Sequence, residues 1–221
     1  MPNLIDVTKP HANKRFIKKR TIVYYQGEIP RSANIMRTGL IKVYSINPSG
    51  EEQIVMFLAP GDAFPLSWIF GEASSTLFYY EALTDCEVLT LPKEDLLKLI
   101  HDDPELLKMM FDYFVKKHTG LIMRVSALEQ SRAIEKILLT LYYLIFHYGK
   151  EVSDNVYTID IKLTQPLIAG MVGLTRETTA KNLNLLKRRG IVNYKEYKYT
   201  VNKSELEKFL GEDNFKSIDM T

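Results

Sequence analysis

The chain has 221 residues, 46% hydrophobic and 25% charged, with a net charge of +2. That length suits two modest domains or one large one, and the composition excludes a disordered chain. A single cysteine, Cys86, excludes an internal disulfide, a four-cysteine zinc site and an all-cysteine iron–sulfur cluster. The longest apolar run, ILLTLYYLIF at 137–146, is too short to span a membrane and reads as a buried helix. The opening MPNLIDVTKPHANKRF has no apolar core ahead of a cleavage site. The expectation is a cytoplasmic protein without a membrane partner.

Residues 16–92 read as β structure. Short apolar or alternating runs recur as TIVYY (21–25), ANIMR (33–37), LIKVYSI (40–46), QIVMFL (53–58), TLFYYEAL (76–83) and CEVLTL (86–91). Turn formers separate them at Gln26-Gly27, Thr38-Gly39, Asn47-Pro48-Ser49-Gly50 and Pro60-Gly61-Asp62. Several short strands with regular turns predict a small barrel or sandwich. Phe64, Trp68, Phe70, Phe78, Tyr79 and Tyr80 are candidates to line an apolar effector pocket, although aromatics on strands more often make ordinary core.

After Pro92 the period lengthens. KEDLLKLIHD (93–102) predicts a short amphipathic helix, and Asp103-Pro104 starts a long one. Leu107, Phe111, Phe114, His118, Leu121, Val125 and Leu128 follow alternating steps of four and three, the seam of a two-stranded coiled coil. This predicts a homodimer; a helix packed into its own domain is the competing reading. Gly120, beside the seam, should weaken the helix by roughly 1 kcal/mol relative to alanine. A second helix, Ser131–Tyr148, carries Ile134, Ile137, Leu138, Leu141, Tyr142 and Ile145 as core. Gly149-Lys150 ends it, and a polar connection, EVSDN, leads to a strand, VYTIDI.

The next segment is basic. From Lys162 to Lys203 nine Lys/Arg stand against two acids, a net +7 that leaves −5 for the rest of the chain. Such a split is the footprint of a nucleic-acid module, though a solvated charged face would share it. Thr164 suits a helix N-cap and Pro166 the first turn; Leu167, Ile168, Met171 and Val172 form one apolar face, with Ala169 small where another helix crosses. Gly173 can take the positive φ of a tight interhelical turn, and Thr175 caps a second helix with Glu177 in its first turn. Thr179, Leu183 and Leu186 should face inward, leaving Arg176, Glu177, Ala180, Lys181 and Asn184 toward solvent. Gly190 ends that helix, and IVNYKEYKYTV predicts two strands around a Lys-Glu turn before a capped helix, NKSELEKFLG.

Helix, glycine turn, helix and β-hairpin make a winged helix-turn-helix, which sets the start of its second helix in the major groove of double-stranded DNA. Arginine and lysine there donate to guanine, and glutamate accepts from cytosine. Lys187 and Arg188 at the helix end, with Lys195 and Lys198 in the wing, can neutralise phosphates. No paired carboxylates, nucleophile–base set, metal cluster or phosphate loop has defensible spacing, so no enzyme is expected.

These features resemble the CRP/FNR transcription regulators, relatives of the cyclic AMP receptor protein, over nearly the whole chain. LTQPLIAGMVGLTRETTAKNL carries the recognition-helix motif; YYQGE (24–28), MRTGLIKVY (36–44), SGEEQIVMFLAPGDAF (49–64) and CEVLTLPKEDLLKLI (86–100) look like the family's cyclic-nucleotide-type β-roll. The resemblance implies an α+β protein: a β-roll sensor-like domain (1–103), a dimerisation helix (104–130) and a winged helix-turn-helix (131–221), with a hinge near Glu129–Ser131. It places Arg176, Glu177 and Lys181 at base-reading positions and Thr164, Gln165, Thr175 and Thr178 at DNA-backbone positions. Lys181 stands where the cyclic AMP receptor protein has arginine, without arginine's planar fork. Asn182 occupies a usually apolar position. RNA polymerase is the further partner implied.

The effector site departs from the pattern. Family members that bind cyclic AMP hold its ribose and phosphate with a Gly-Glu-Leu element and an Arg-Ser pair. Here Pro65-Leu66 and Thr76-Leu77 stand there, so a buried phosphodiester would lack its counter-charge. Glu72 after Gly71 could imitate the motif, but no arginine follows. Cyclic AMP is therefore not expected, nor is the cysteine-bound cluster of the oxygen-sensing branch. Haem through His118 or His101 is disfavoured because a lone histidine is more often structural. The expected function is a homodimeric bacterial regulator reading a palindrome, with any effector other than cyclic AMP in the β-roll. The alternatives are a regulator with a filled β-roll, or an interaction or nucleotide-binding module that no longer reads DNA.

Overall fold

A computed structural model of the chain describes residues 4–211. It divides into two compact units that meet at Val115/Lys116, inside one long helix.

The first unit begins with a short helix, α1 (Leu4–Thr8), and a 3-10 turn at Lys9–His11. Strands β1 (Asn13–Ile17), β2 (Ile22–Tyr24), β3 (Ala33–Thr38), β4 (Ile41–Ile46), β5 (Glu52–Leu58) and β6 (Ala63–Phe64) follow. A four-residue helix, α2 (Leu66–Ile69), precedes β7 (Tyr79–Ala82), β8 (Cys86–Leu91) and the amphipathic α3 (Lys93–Asp102). The strands form two antiparallel sheets, ordered β1-β8-β3-β6 and β2-β7-β4-β5. Ile17, Met36 and Val88 from the first meet Val23, Ile41, Val43 and Ala82 from the second in one core. Alternation along the strands sends Ile35, Leu89 and Leu91 to the opposite face, against Leu4, Trp68, Ile69, Leu96, Leu106 and Met110. Covered on both faces, β3 buries four consecutive residues.

The helix α4 (Pro104–Glu129) starts where the Asp103 carboxylate accepts from the amides of Glu105 and Leu106. In the second unit α5 (Ala133–Tyr148) is buried continuously from Ile137 to Phe146, which explains its unusually apolar sequence. Strands β9 (Gly149–Ser153) and β10 (Val156–Ile159), helices α6 (Gln165–Val172) and α7 (Arg176–Arg188), strands β11 (Val192–Lys195) and β12 (Lys198–Asn202), and helix α8 (Lys203–Leu210) complete it. Its sheet runs β11-β12-β10-β9. Inside, the Arg124 guanidinium donates to the Met171 carbonyl (2.7 Å) and the Thr140 hydroxyl (3.4 Å), tying α4 to α5 and α6.

Several expectations need correcting. EVSDN is no mere connection: most of it belongs to β9, whose side chains are largely exposed and so carry no apolar alternation. The run 76–83 is strand only from Tyr79, because Thr76 is bound in a turn. Phe114 leaves the seam and packs edge-on against Phe70 in the helical cluster of its own unit. The rest of the seam is exposed: Leu107, Phe111, His118, Leu121, Val125 and Leu128, with Val115 and Ile122 widening the stripe. Gly120 is no mere weak point, since a Cβ there would lie 1.8 Å from the His147 ring. Burial, aided by Lys117 and Lys116, lowers the pKa of that imidazole to about 3 and keeps it neutral.

Candidate nucleic-acid interface

Two threonine caps and one glycine set the helix-turn-helix. Thr164 Oγ1 accepts from the Leu167 amide (3.3 Å), starting α6. Gly173 ends that helix at φ +65°, with its amide donating to the Ala169 carbonyl. Thr175 then caps α7, accepting from the Thr178 amide at 3.2 Å. Its own proton goes to Thr178 Oγ1 (3.0 Å), so the Thr178 hydroxyl keeps a proton to donate outward. Thr164 keeps one for the same reason.

On α7 the buried face is Thr179, Leu183 and Leu186, with the Thr179 hydroxyl donating to the Thr175 carbonyl. The register is therefore the expected one, and Asn182 fits it by donating to the Thr178 carbonyl at 2.8 Å. Arg176, Glu177, Lys181, Asn184 and Arg188 are exposed. A cleft of about 380 Å³ brings Thr164, Gln165 and Arg176 together with Tyr194 and Tyr197 of the wing.

The wing is a hairpin closed by Glu196-Tyr197, with Glu196 at φ +58° and Lys195 paired to Lys198. Both lysines are exposed, as a phosphate contact requires. Lys187 is exposed as well, and one of its three ammonium protons goes to the Tyr194 carbonyl (3.2 Å), with the ammonium over the Tyr194 ring. Tyr194 in turn donates its hydroxyl to Asn184 Oδ1 at 2.8 Å and stacks on Tyr199. Tyr194 thus braces the wing against the exposed face of α7. The sequence reading missed this brace, because nothing in the spacing of residues 184 and 194 signals a tertiary hydrogen bond.

The β-roll aromatics do not gather in one place. Phe64 and Tyr80 stack at 5.7 Å, and Tyr24 meets both edge-on within the core. Phe78 packs beside that cluster. Trp68 belongs to the other cluster, under the Lys93 ammonium, and Tyr79 points away from the core to stack on Tyr44. Alternation at Tyr79-Tyr80 and the short α2 turn cause this separation.

Nor do residues 65–77 fit a cyclic nucleotide. Pro65 and Leu66 open α2. Thr76 is buried, its hydroxyl donating to the Tyr25 carbonyl (2.5 Å), its amide to the Glu28 carbonyl, while its carbonyl accepts from Gly27. Leu77 is half exposed. The buried cation of the neighbouring strand, Lys42, already lies 2.5 Å from Glu52 and 3.0 Å from Glu81. Residues 65–77 contain no lysine or arginine to set against a phosphodiester. Among the described residues no group of three or more His, Cys, Asp or Glu is placed to hold a metal ion, and no helix is long and apolar enough to cross a membrane.

Residues 14–103 match the family model for the cyclic nucleotide-binding domain, and residues 135–209 that for the Crp-like helix-turn-helix domain. The chain belongs to the CRP/FNR family of transcription regulators. It is 26% identical over 195 residues to the global nitrogen regulator of Nostoc sp., covering 88% of this chain and 86% of that one. To a probable transcriptional activator of Rhizobium leguminosarum it is 27% identical, covering 91% and 82%. Among solved structures, FixK2 from Bradyrhizobium japonicum superposes with a TM-score of 0.73 at 20% identity, covering 89% of this chain and 96% of that one. A CooA mutant from Carboxydothermus hydrogenoformans gives 0.76 at 19%, covering 94% and 95%. As a member of this family the protein is a DNA-binding transcription regulator.

Proposed function

We propose that this regulator acts in the cytoplasm as a homodimer, pairing through the exposed α4 stripe and reading a palindrome with half-sites about 34 Å apart. Arg176 and Lys181 donate to base edges, and Glu177 accepts from cytosine. Thr164, Gln165, Thr178, Lys187, Arg188, Lys195 and Lys198 hold the phosphates through their side chains and Thr175 through its backbone, with Lys187 also bracing the wing. RNA polymerase is the second partner. One observation carries the reading: Glu177 and Lys181 stand exposed on the face of α7 opposite buried Thr179, Leu183 and Leu186, and Arg176 stands exposed in its first turn.

The β-roll, in this proposal, holds no cyclic nucleotide, iron–sulfur cluster or haem, since its aromatics pack on one another and His101 and His118 lie exposed. That packing favours a regulator active without a small effector. Enrichment from a random duplex pool by ligand-free protein tests the reading. The expected product is a palindrome one helical turn between half-site centres. Arg176→Ala or Lys181→Ala should each lose roughly 1–3 kcal/mol of discrimination. Salt-sensitive general binding without enrichment would count against it.

A further inference from the structure

The N-terminal unit carries a basic surface of its own. No acid occurs between residues 7 and 27, whereas Lys9, Lys14, Arg15, Lys18, Lys19 and Arg20 supply six positive charges. Taking those six, and the +7 of residues 162–203, from the net +2 leaves −11 for all other residues. This island centres on β1, the end strand of its sheet, hydrogen-bonded on one side to β8. Lys14, Arg15 and Phe16 are all exposed, and only Ile17 enters the core. Lys14 and Phe16 share the face of their β8 partners Leu89 and Glu87, while Arg15 lies on the face of Ile17. Lys18 reaches Asp85 at 3.5 Å with both ends solvated. Among the described residues Lys14, Arg15, Lys19 and Arg20 have no ion pair.

Lysines on an end strand ordinarily guard it against pairing with other chains. Phe16, 76% exposed in the same strand, works against that purpose. The combination of open backbone edge, flanking cations and one bare aromatic matches what an added strand needs. We propose that β1 is the docking edge for an acidic, extended polypeptide segment of a partner protein, which joins the sheet beside it. Its backbone pairs with the open edge, its carboxylates meet Lys14, Arg15 and Lys18, and an apolar side chain covers Phe16. A DNA duplex would satisfy the charges but offers neither a ladder of amides nor a cover for Phe16. A lipid surface would need more apolar side chains than this one.

The full-length protein is titrated with a fluorescein-labelled peptide of about ten residues, glutamate on both faces with one central valine to meet Phe16, long enough to span the strand. Anisotropy should report binding that weakens about tenfold in Lys14→Glu/Lys18→Glu, the scale of reversing two rim charges. Phe16→Ser should weaken it as well, and N-methylation of alternate peptide amides should abolish it. The same variants should keep their affinity for the selected palindrome, which separates this surface from the one on α7. Equal binding of the N-methylated peptide overturns the proposal. So does a β1-dependent preference for random duplex DNA or phosphatidylserine vesicles, or loss of palindrome binding in the β1 variants.

Discussion

In the helix-turn-helix, Arg176, Glu177 and Lys181 stand exposed on a helix held in place by buried Thr179, Leu183 and Leu186. In the β-roll the reverse arrangement holds: Lys42 is buried between Glu52 and Glu81, and Phe64, Tyr80 and Tyr24 fill one another's space. A charge left solvated on a rigid support can be given to a ligand, whereas one already neutralised in the interior belongs to the fold. By that contrast the α7 charges remain available to a ligand, whereas Lys42 of the cyclic nucleotide-binding domain fold is already paired.

Several experiments can break or sharpen this contrast. The largest effect should come from acid, which attacks the support under the reading head. Folded His147 titrates near 3, below the 6.5 of an open imidazole, so the unfolded chain binds the extra proton between those values. Stability is therefore full above about pH 6.5 and falls as pH drops toward 3, by roughly 4–5 kcal/mol in all. Urea unfolding at pH 7 and pH 4 should register roughly 3 kcal/mol of that loss, and His147→Gln should flatten the dependence.

Next, Arg176→Ala/Lys181→Ala should remove roughly 2–6 kcal/mol of sequence discrimination with little change in folding stability. Lys42→Ala should do the opposite, lowering stability by about 1 kcal/mol because its partly solvated carboxylate partners lose their cation, with palindrome preference intact. If both variants changed both readouts equally, the distinction between free and neutralised charge would fail. Comparable with that, Thr175→Ala should cost about 1 kcal/mol of stability through its lost cap. Tyr194→Phe should cost about 1 kcal/mol by unbracing the wing, seen as weaker DNA binding at unchanged base preference.

The legible features were local ones. Thr164, Gly173 and Thr175 announce themselves because a cap or a positive φ is decided within four residues, and the α7 faces follow from its period. The β-roll strands with buried alternation were readable too. β1 and β9 were not, since exposed strands bury too little to imprint a pattern and are defined by their ladders. Phe114 kept the heptad spacing yet turned to Phe70, and Gly120 looked like a flaw until His147 was placed against it. The Tyr194–Asn184 brace likewise exists only once the wing folds back on α7. Spacing along one element carries no information about which distant side chain fills the neighbouring space.

The central claim is that DNA reading proceeds without a cyclic nucleotide in the β-roll. The most direct test is the affinity of ligand-free protein for its selected palindrome, measured with and without millimolar cyclic AMP. The account predicts tight, specific binding that the nucleotide leaves unchanged. Specific binding that appears only when the nucleotide is added would contradict it.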